Sequence, residues 1–276
     1  MVSAVLDVPG IRLSAAELLA LREASTGPDR ARPATRKPGA VAGRPPGAGM
    51  DLREIRAFAD GDDARRIDVA ATARTGTLHV RSFHEDRDDS LVLLADFRAP
   101  MLWGTGAVLR SVAGARGLAC AGWRAVARGA SVAGLAVGAH GVAATGLRTG
   151  VSQMAAIARL FAAEHDAALA APAADRSLGE ALARAARLAP PGAEVVLATG
   201  PDGVAADDEA ALARLARRRR VTLLLPLDPL DTAPPAAALP IRAGGLVRLA
   251  RLAPFDRAAL AARLGRANVA LETIAP

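Results

Sequence analysis

Few side chains in this 276-residue sequence are placed to do chemistry together. Asp62, Asp63, Asp68 and Glu85 make an acidic group of the kind that holds a divalent cation in a nuclease centre. The common arrangement wants a lysine beside it, and the sole lysine, Lys37, lies elsewhere, ahead of Pro38. His79, His84, His140 and His165 include no pair spaced four apart that would put two imidazoles on one helix face. His84, Glu85 and Asp86 are adjacent and would suit an isolated metal site, but a run of charges at a strand end ordinarily makes a solvated turn. Cys120, the only cysteine, excludes an intramolecular disulfide and a thiolate zinc cage. Its setting, "GARGLACAGWRAVARG", reads as a helix with small residues on one face and a buried, inert thiol.

Nucleotide and acyl-transfer signatures are also missing. Gly104 and Gly106 imitate the opening of a dinucleotide fingerprint, but Leu109 stands where the third glycine belongs. No glycine-rich loop ends in Lys-Ser or Lys-Thr, and no G-x-S-x-G elbow exists. The chain reads as a non-enzyme without a cofactor.

The elements that would carry any site follow from the apolar pattern. "RLSAAELLALREA" (12–24) is an amphipathic helix with Ser14 and Glu17 at capping-box spacing, and residues 1–25 form an N-terminal helical segment. Residues 26–50, rich in Pro, Gly and Arg, hold no regular element and read as a flexible stretch. Residues 51–87 alternate charged and apolar side chains and form a small β-rich module, with strands in "DLREIRAF" and "TGTLHVRSF" around a "GDDARR" turn. From 88 to 276 strands alternate with helices: "LVLLADF", "SVAGLAVG", "AEVVLATG" and "VTLLLPLD" are apolar runs of the kind covered on both faces. "HGVAATGL" is a hairpin return. Right-handed crossovers then predict a three-layer α/β domain with a mostly parallel sheet. Arg217 to Arg220 end a helix, where their charge complements its dipole.

The net charge of +7 does not mark a nucleic-acid binder, because a single lysine, two Trp and no Tyr leave neither a basic stripe nor a stacking platform. No uncharged apolar window is long enough for a membrane span, and the N-terminus lacks a signal-peptide pattern, so a cytoplasmic location is expected.

One stretch is more patterned than the rest: "GAGMDLREIRAFADGDDARRIDVAATARTGTLHVRSFHEDRDDSLVLLADFRAPMLWG". It resembles the bacterial family catalogued as domain of unknown function 58, whose pattern includes R-x-Y, G-D-D-x-R-x-I-D-W, A-R and L-x-V-R-x-F ahead of a von Willebrand factor A-like domain. The residues that carry the match are Arg56, Gly61, Asp62, Asp63, Arg66, Asp68, Arg74 and Arg81, with Phe58 in place of the tyrosine and Val69 in place of the tryptophan. They form either a charged structural joint or a partner surface, with Asp62 or Asp63 capping a turn and Arg56, Arg66, Asp68 and Arg74 pairing between strands. "ALPIRAGG" looks like the family's late Pro-and-Gly turn. The resemblance implies a Rossmann-like von Willebrand A domain and a protein partner, a MoxR-type AAA+ ATPase that assembles or remodels other proteins.

That resemblance also implies a Mg²⁺ site, D-x-S-x-S, at the end of the first sheet strand, and here the sequence departs from it. In "DFRAP" Asp96 is kept, Arg98 replaces the first serine and Pro100 the second; the later aspartate is displaced to Asp202 in "TGPDG". A guanidinium only donates, and it repels a cation where one should be ligated. The expectation is a degenerate adhesion site with no metal, in which Arg98 takes the ion's place and can receive a partner's carboxylate. A divalent-metal-dependent ligand-binding domain is the alternative, and a basic nucleic-acid-associated protein the third.

Overall fold

A computed structural model describes residues 8–26, 46–84, 89–171, 177–243 and 246–275. The chain divides into two units, Asp29–Asp88 and the combination of Met1–Pro28 with Asp89–Pro276.

In the smaller unit, β1 (Pro46–Ala57) pairs antiparallel with β2 (His79–His84). Between them lie a 3-10 turn (Ala64–Arg66) and helix α1 (Val69–Thr75). Its signature residues act locally. Gly61 takes φ +100°, a left-handed conformation that turns the chain after β1. Asp62 accepts Arg56 Nη1 and Nη2 at 2.8 and 2.6 Å and the Ala59 amide at 2.8 Å. Asp63 caps the 3-10 turn through the Arg65 amide. Asp68 is buried, caps α1 through the Ala71 amide at 2.8 Å and receives Arg81 Nε at 2.8 Å.

Several expectations change here. Asp68 pairs with Arg81, and Arg56 with Asp62, so the ion pairs do not follow the grouping of Arg56, Arg66, Asp68 and Arg74. The stretch Val69–Thr75 is a helix, because Asp68 supplies its N-cap and Gly76, at φ +75°, its left-handed end. Val69, where the family pattern has a tryptophan, is 75% exposed. Strand β1 begins at Pro46, inside the stretch expected to hold no element, while 27–45 and the Glu85–Asp86 part of the acidic cluster lie outside the described residues.

The larger unit holds six strands in the order β10-β7-β6-β3-β4-β5. They are β3 (Ser90–Asp96), β4 (Ser131–Gly138), β5 (Gly141–Ala144), β6 (Glu194–Ala198), β7 (Arg220–Pro226) and β10 (Val269–Ile274). All pair in parallel except β5, which returns antiparallel on β4. The three-layer, mostly parallel fold predicted from the sequence is therefore present, with "NVALETI" as an additional edge strand.

Strand β3 is buried along its whole length because alternate residues serve opposite layers. Leu91, Leu93 and Ala95 belong to the core cluster on the side of helices α2 (Arg110–Ala127) and α3 (Val151–Ala170); Val92 and Leu94 belong to the opposite cluster, which also takes side chains from α4 (Gly179–Leu188), α5 (Ala206–Ala216) and α7 (Arg257–Arg266). A short helix, α6 (Pro229–Thr232), and a hairpin of β8 (Leu239–Ala243) and β9 (Leu246–Ala250) follow β7. "ALPIRAGG" is thus partly strand. The arginine run lies beyond its helix, which ends at Ala216, and Arg219 instead donates to the Ala186 and Ala189 carbonyls at the C-terminus of α4.

The N-terminal helix αN (Ala15–Thr26) does not stand apart as a separate segment. Leu13 and Leu18 enter the core, Trp123 Nε1 donates to the Leu18 carbonyl at 2.9 Å, and Arg12 forks onto Asp166. The Ser14 hydroxyl accepts the Glu17 amide as the capping spacing requires, but the Glu17 carboxylate turns to Arg116. Fully buried His165 closes this joint: its Nδ1 accepts the Leu13 amide, which leaves the proton on Nε2 for the Ser111 hydroxyl at 2.9 Å.

Burial pushes His165 down to about 4, against the pull of neighbouring Asp166. Its unfolded value is near 6.5, so stability is full above that pH and falls as pH drops toward 4, by on the order of 3 kcal/mol. Chemical denaturation at stepped pH should give a flatter dependence across this window for His165→Gln than for the parent; equal slopes would assign the acid lability elsewhere. In the smaller unit, Asp62→Asn and Asp68→Asn should each lower the melting temperature followed by circular dichroism, because Arg56 and the Ala71 amide with Arg81 hold these carboxyls below their ordinary range. Asp63→Asn, with one cap bond on an exposed side chain, should change it least.

Candidate functional site

In an open parallel sheet the crevice for ligands lies at the carboxyl ends of the strands, which here brings the ends of β3 and β6 side by side. Asp96 ends β3 and is 2% exposed. Its Oδ1 accepts the Arg98 amide at 3.0 Å and Arg98 Nε at 2.9 Å; its Oδ2 accepts Arg98 Nη2 at 2.7 Å and the Thr199 hydroxyl at 2.6 Å. The chain reverses within two residues, so the guanidinium folds back onto the carboxylate that precedes it. Pro100 follows at the start of the Ala99–Met101 turn, where a missing N–H costs nothing.

Arg98 Nη2 also donates to the Gly203 carbonyl at 2.6 Å. Gly203 is required by space: a Cβ there would lie 1.8 Å from the Thr199 hydroxyl. Burial works against the charge of Arg98, but its hydrogen bonds and attraction to Asp96, with Asp208 adding to them, hold the guanidinium above its ordinary value. Asp208 is itself buried, accepting Ser177 Oγ at 2.7 Å and the Ala205 amide at 3.2 Å. Asp96 and Arg98 neutralise each other. A single bidentate ion pair takes both oxygens of the carboxylate, and a hydroxyl completes it.

Of the residues singled out by spacing, Asp96, Arg98 and Pro100 lie together here. Asp202 does not: it sits exposed on the turn after β6. The acidic residue whose charge reaches Arg98 is Asp208, in the first turn of α5. Thr199 and Asp208 were missed by sequence reasoning; the position of Thr199 directly after a buried strand, on the sheet's ligand edge, was the available signal. The expectation that Arg98 receives a partner's carboxylate is corrected as well. Its fork faces inward onto Asp96 and Gly203, and the residue is only 8% exposed.

Mg²⁺, which the family resemblance implies, does not fit these residues. Arg98 points its nitrogens at both oxygens of Asp96, where a cation would be ligated, and among the described residues no three His, Cys, Asp or Glu side chains converge to hold a metal.

A second polar cluster ties the loop after β3 to the end of β7. Asp228, 2% exposed, accepts the Thr105 amide at 2.6 Å, the Thr105 hydroxyl and the Leu230 amide at 2.9 Å. Although burial opposes its charge, these bonds and Arg110 hold the carboxyl below its ordinary range. Arg110 donates to both oxygens of Asp231 at 2.6 Å and stacks 4.4 Å from the centre of the Trp103 ring. Gly104 and Gly106 therefore flank a threonine locked to a carboxylate, not a phosphate loop. Beside this latch is an apolar cavity of about 590 Å³ walled by Val108, Ala113, Gly117, Cys120, Leu227 and Ile274. Cys120 is half-buried there, less enclosed than expected.

Comparison with known proteins places these observations. Over 60 residues the chain is 43% identical to uncharacterised proteins of Mycobacterium tuberculosis and Mycobacterium bovis; the match covers 22% of this chain and 19%, about a fifth, of the relatives' length. Among solved structures it is similar to the conserved hypothetical protein BatB of Bacteroides thetaiotaomicron, with 14% identity, a TM-score of 0.42, and coverage of 68% of this chain and 90% of the other. It is also similar to a von Willebrand factor type A structure from Catenulispora acidiphila, with 17% identity, a TM-score of 0.38, and coverage of 53% and 34%. The chain's own strand order gives the three-layer α/β fold. The family described as protein of unknown function DUF58 matches residues 54–241, more than half of the chain, and this protein belongs to that family.

Proposed function

We propose that this protein is a non-enzymatic interaction module in which a buried arginine does the work of a divalent cation, and that it acts with a MoxR-type AAA+ ATPase on other proteins. The observation that carries the first part is the saturation of Asp96 by Arg98 and Thr199. A metal-dependent adhesion site presents open coordination positions to a partner's acidic group. A site filled by a guanidinium presents none, so partner contact here relies on the surrounding surface. The serine–histidine pair near this edge, Ser111 with His165, is fully buried and its imidazole Nδ1 is taken by the Leu13 amide, which supports the non-enzymatic reading. The ATPase partner rests on the family resemblance alone.

Arg98→Ser should cost about 3–5 kcal/mol, the cost of stranding a buried carboxylate. If the guanidinium substitutes for a cation, millimolar Mg²⁺ should recover part of the lost melting temperature in this variant and leave the parent unmoved. Site-specific micromolar Mg²⁺ or Mn²⁺ binding to the parent, lost in Asp96→Ala, would overturn the reading in favour of an ion-dependent binding domain. For the partner, the purified chain should change the ATP turnover of a MoxR-type ATPase that co-purifies with it; unchanged turnover and no co-purification would remove that half of the proposal.

A further inference from the structure

The β8–β9 hairpin leaves apolar side chains in water on both of its faces. By register, Ile241 opposes Arg248 and Ala243 opposes Leu246 on one face; Pro240 opposes Leu249 on the other, with Val247 on the same side. Leu246, Val247 and Leu249 are 63%, 56% and 75% exposed, and Ile241 is 41% exposed. No third strand joins this sheet among the described residues, and a two-stranded hairpin alone is marginal in water. Exposed apolar clusters of this kind mark contact surfaces.

The charge around them has one sign. From Thr232 to Phe255 there is no aspartate or glutamate, while Arg242, Arg248 and Arg251 fall within or directly after the hairpin. Both Arg248 and Arg251 are exposed. A second copy of this hairpin would bring arginine against arginine. A folded acidic protein would cover one face and leave the other wet. A medium that surrounds both faces, apolar below and anionic above, fits both the two-sided exposure and the charge.

We propose that β8–β9 is a membrane-docking hairpin that inserts Leu246, Val247 and Leu249 into the headgroup boundary of an anionic lipid surface, with Arg248 and Arg251 at the level of the phosphates. The arrangement has the two ingredients of interfacial binding, buried apolar area and cationic attraction. It is independent of the Asp96–Arg98 site.

The test is co-sedimentation of the full chain with large vesicles of phosphatidylcholine, alone or mixed with phosphatidylglycerol at about two to one. The chain should partition onto the mixed vesicles and only weakly onto phosphatidylcholine. Arg248→Gln with Arg251→Gln should reduce that partition by about 25-fold, roughly fivefold per charge. Leu246→Ser with Leu249→Ser should reduce it by about tenfold or more, with an unchanged melting temperature, since these side chains leave the core untouched. Failure to sediment with mixed vesicles overturns the proposal. So does binding that the leucine variant retains in full, which would be general attraction by the chain's net positive charge, and so does capture by polyglutamate that mixed vesicles do not compete away, which would point to an acidic protein.

Discussion

A carboxylate placed at the end of a strand buried on both faces has to be neutralised, and this need organises the site. Asp96 sits where the central strand β3 runs out beneath two helix layers, and water cannot solvate it there. Arg98 supplies the charge from two residues away, so no distant element is needed to bring it. The consequence spreads outward: the guanidinium needs the Gly203 carbonyl, Gly203 needs to be glycine to clear Thr199, and Thr199 returns its hydroxyl to Asp96. The loops after β3 and β6 are held together by one charge balance. An ion would do the same with an open coordination sphere; the arginine closes it.

The rest of the carboxyl edge is held by the same kind of bond. Asp228 takes the loop after β3 through Thr105, and Asp231 takes the start of α2 through Arg110, so the edge near β7 is pinned as firmly as the edge near β6. On the β4 side, αN is fastened by Leu13, Leu18 and neutral His165. The β8–β9 hairpin is different: its apolar side chains face outward, and its cations have no acidic neighbours in sequence.

Belonging to DUF58 fits the pattern in the smaller unit, where Gly61, Asp62, Asp63 and Asp68 are spent on a turn and two caps. Conformation accounts for these residue types. The left-handed turn needs glycine, and short carboxylates at its end satisfy amides that would otherwise lack partners.

The sequence by itself determined the layers of this protein, because apolar runs such as "LVLLADF" and "SVAGLAVG" leave a strand no choice but burial on both faces, and helical spacing between them forces crossovers. The family resemblance also located Asp96 and Arg98, since it sets an arginine where the D-x-S-x-S pattern has a hydroxyl. Local pattern could not assign the N-terminal helix to its sheet: the contacts of Leu13 with His165 and of Leu18 with Trp123 join positions more than a hundred residues apart. Nor could it choose Asp208 over Asp202, because which acidic group approaches Arg98 depends on how α5 enters after the turn. Only the tertiary structure decided that the arginine turns inward: the same guanidinium would be a surface charge on an open loop and becomes an internal counter-ion because β3 and β6 bring Asp96, Thr199 and Gly203 around it.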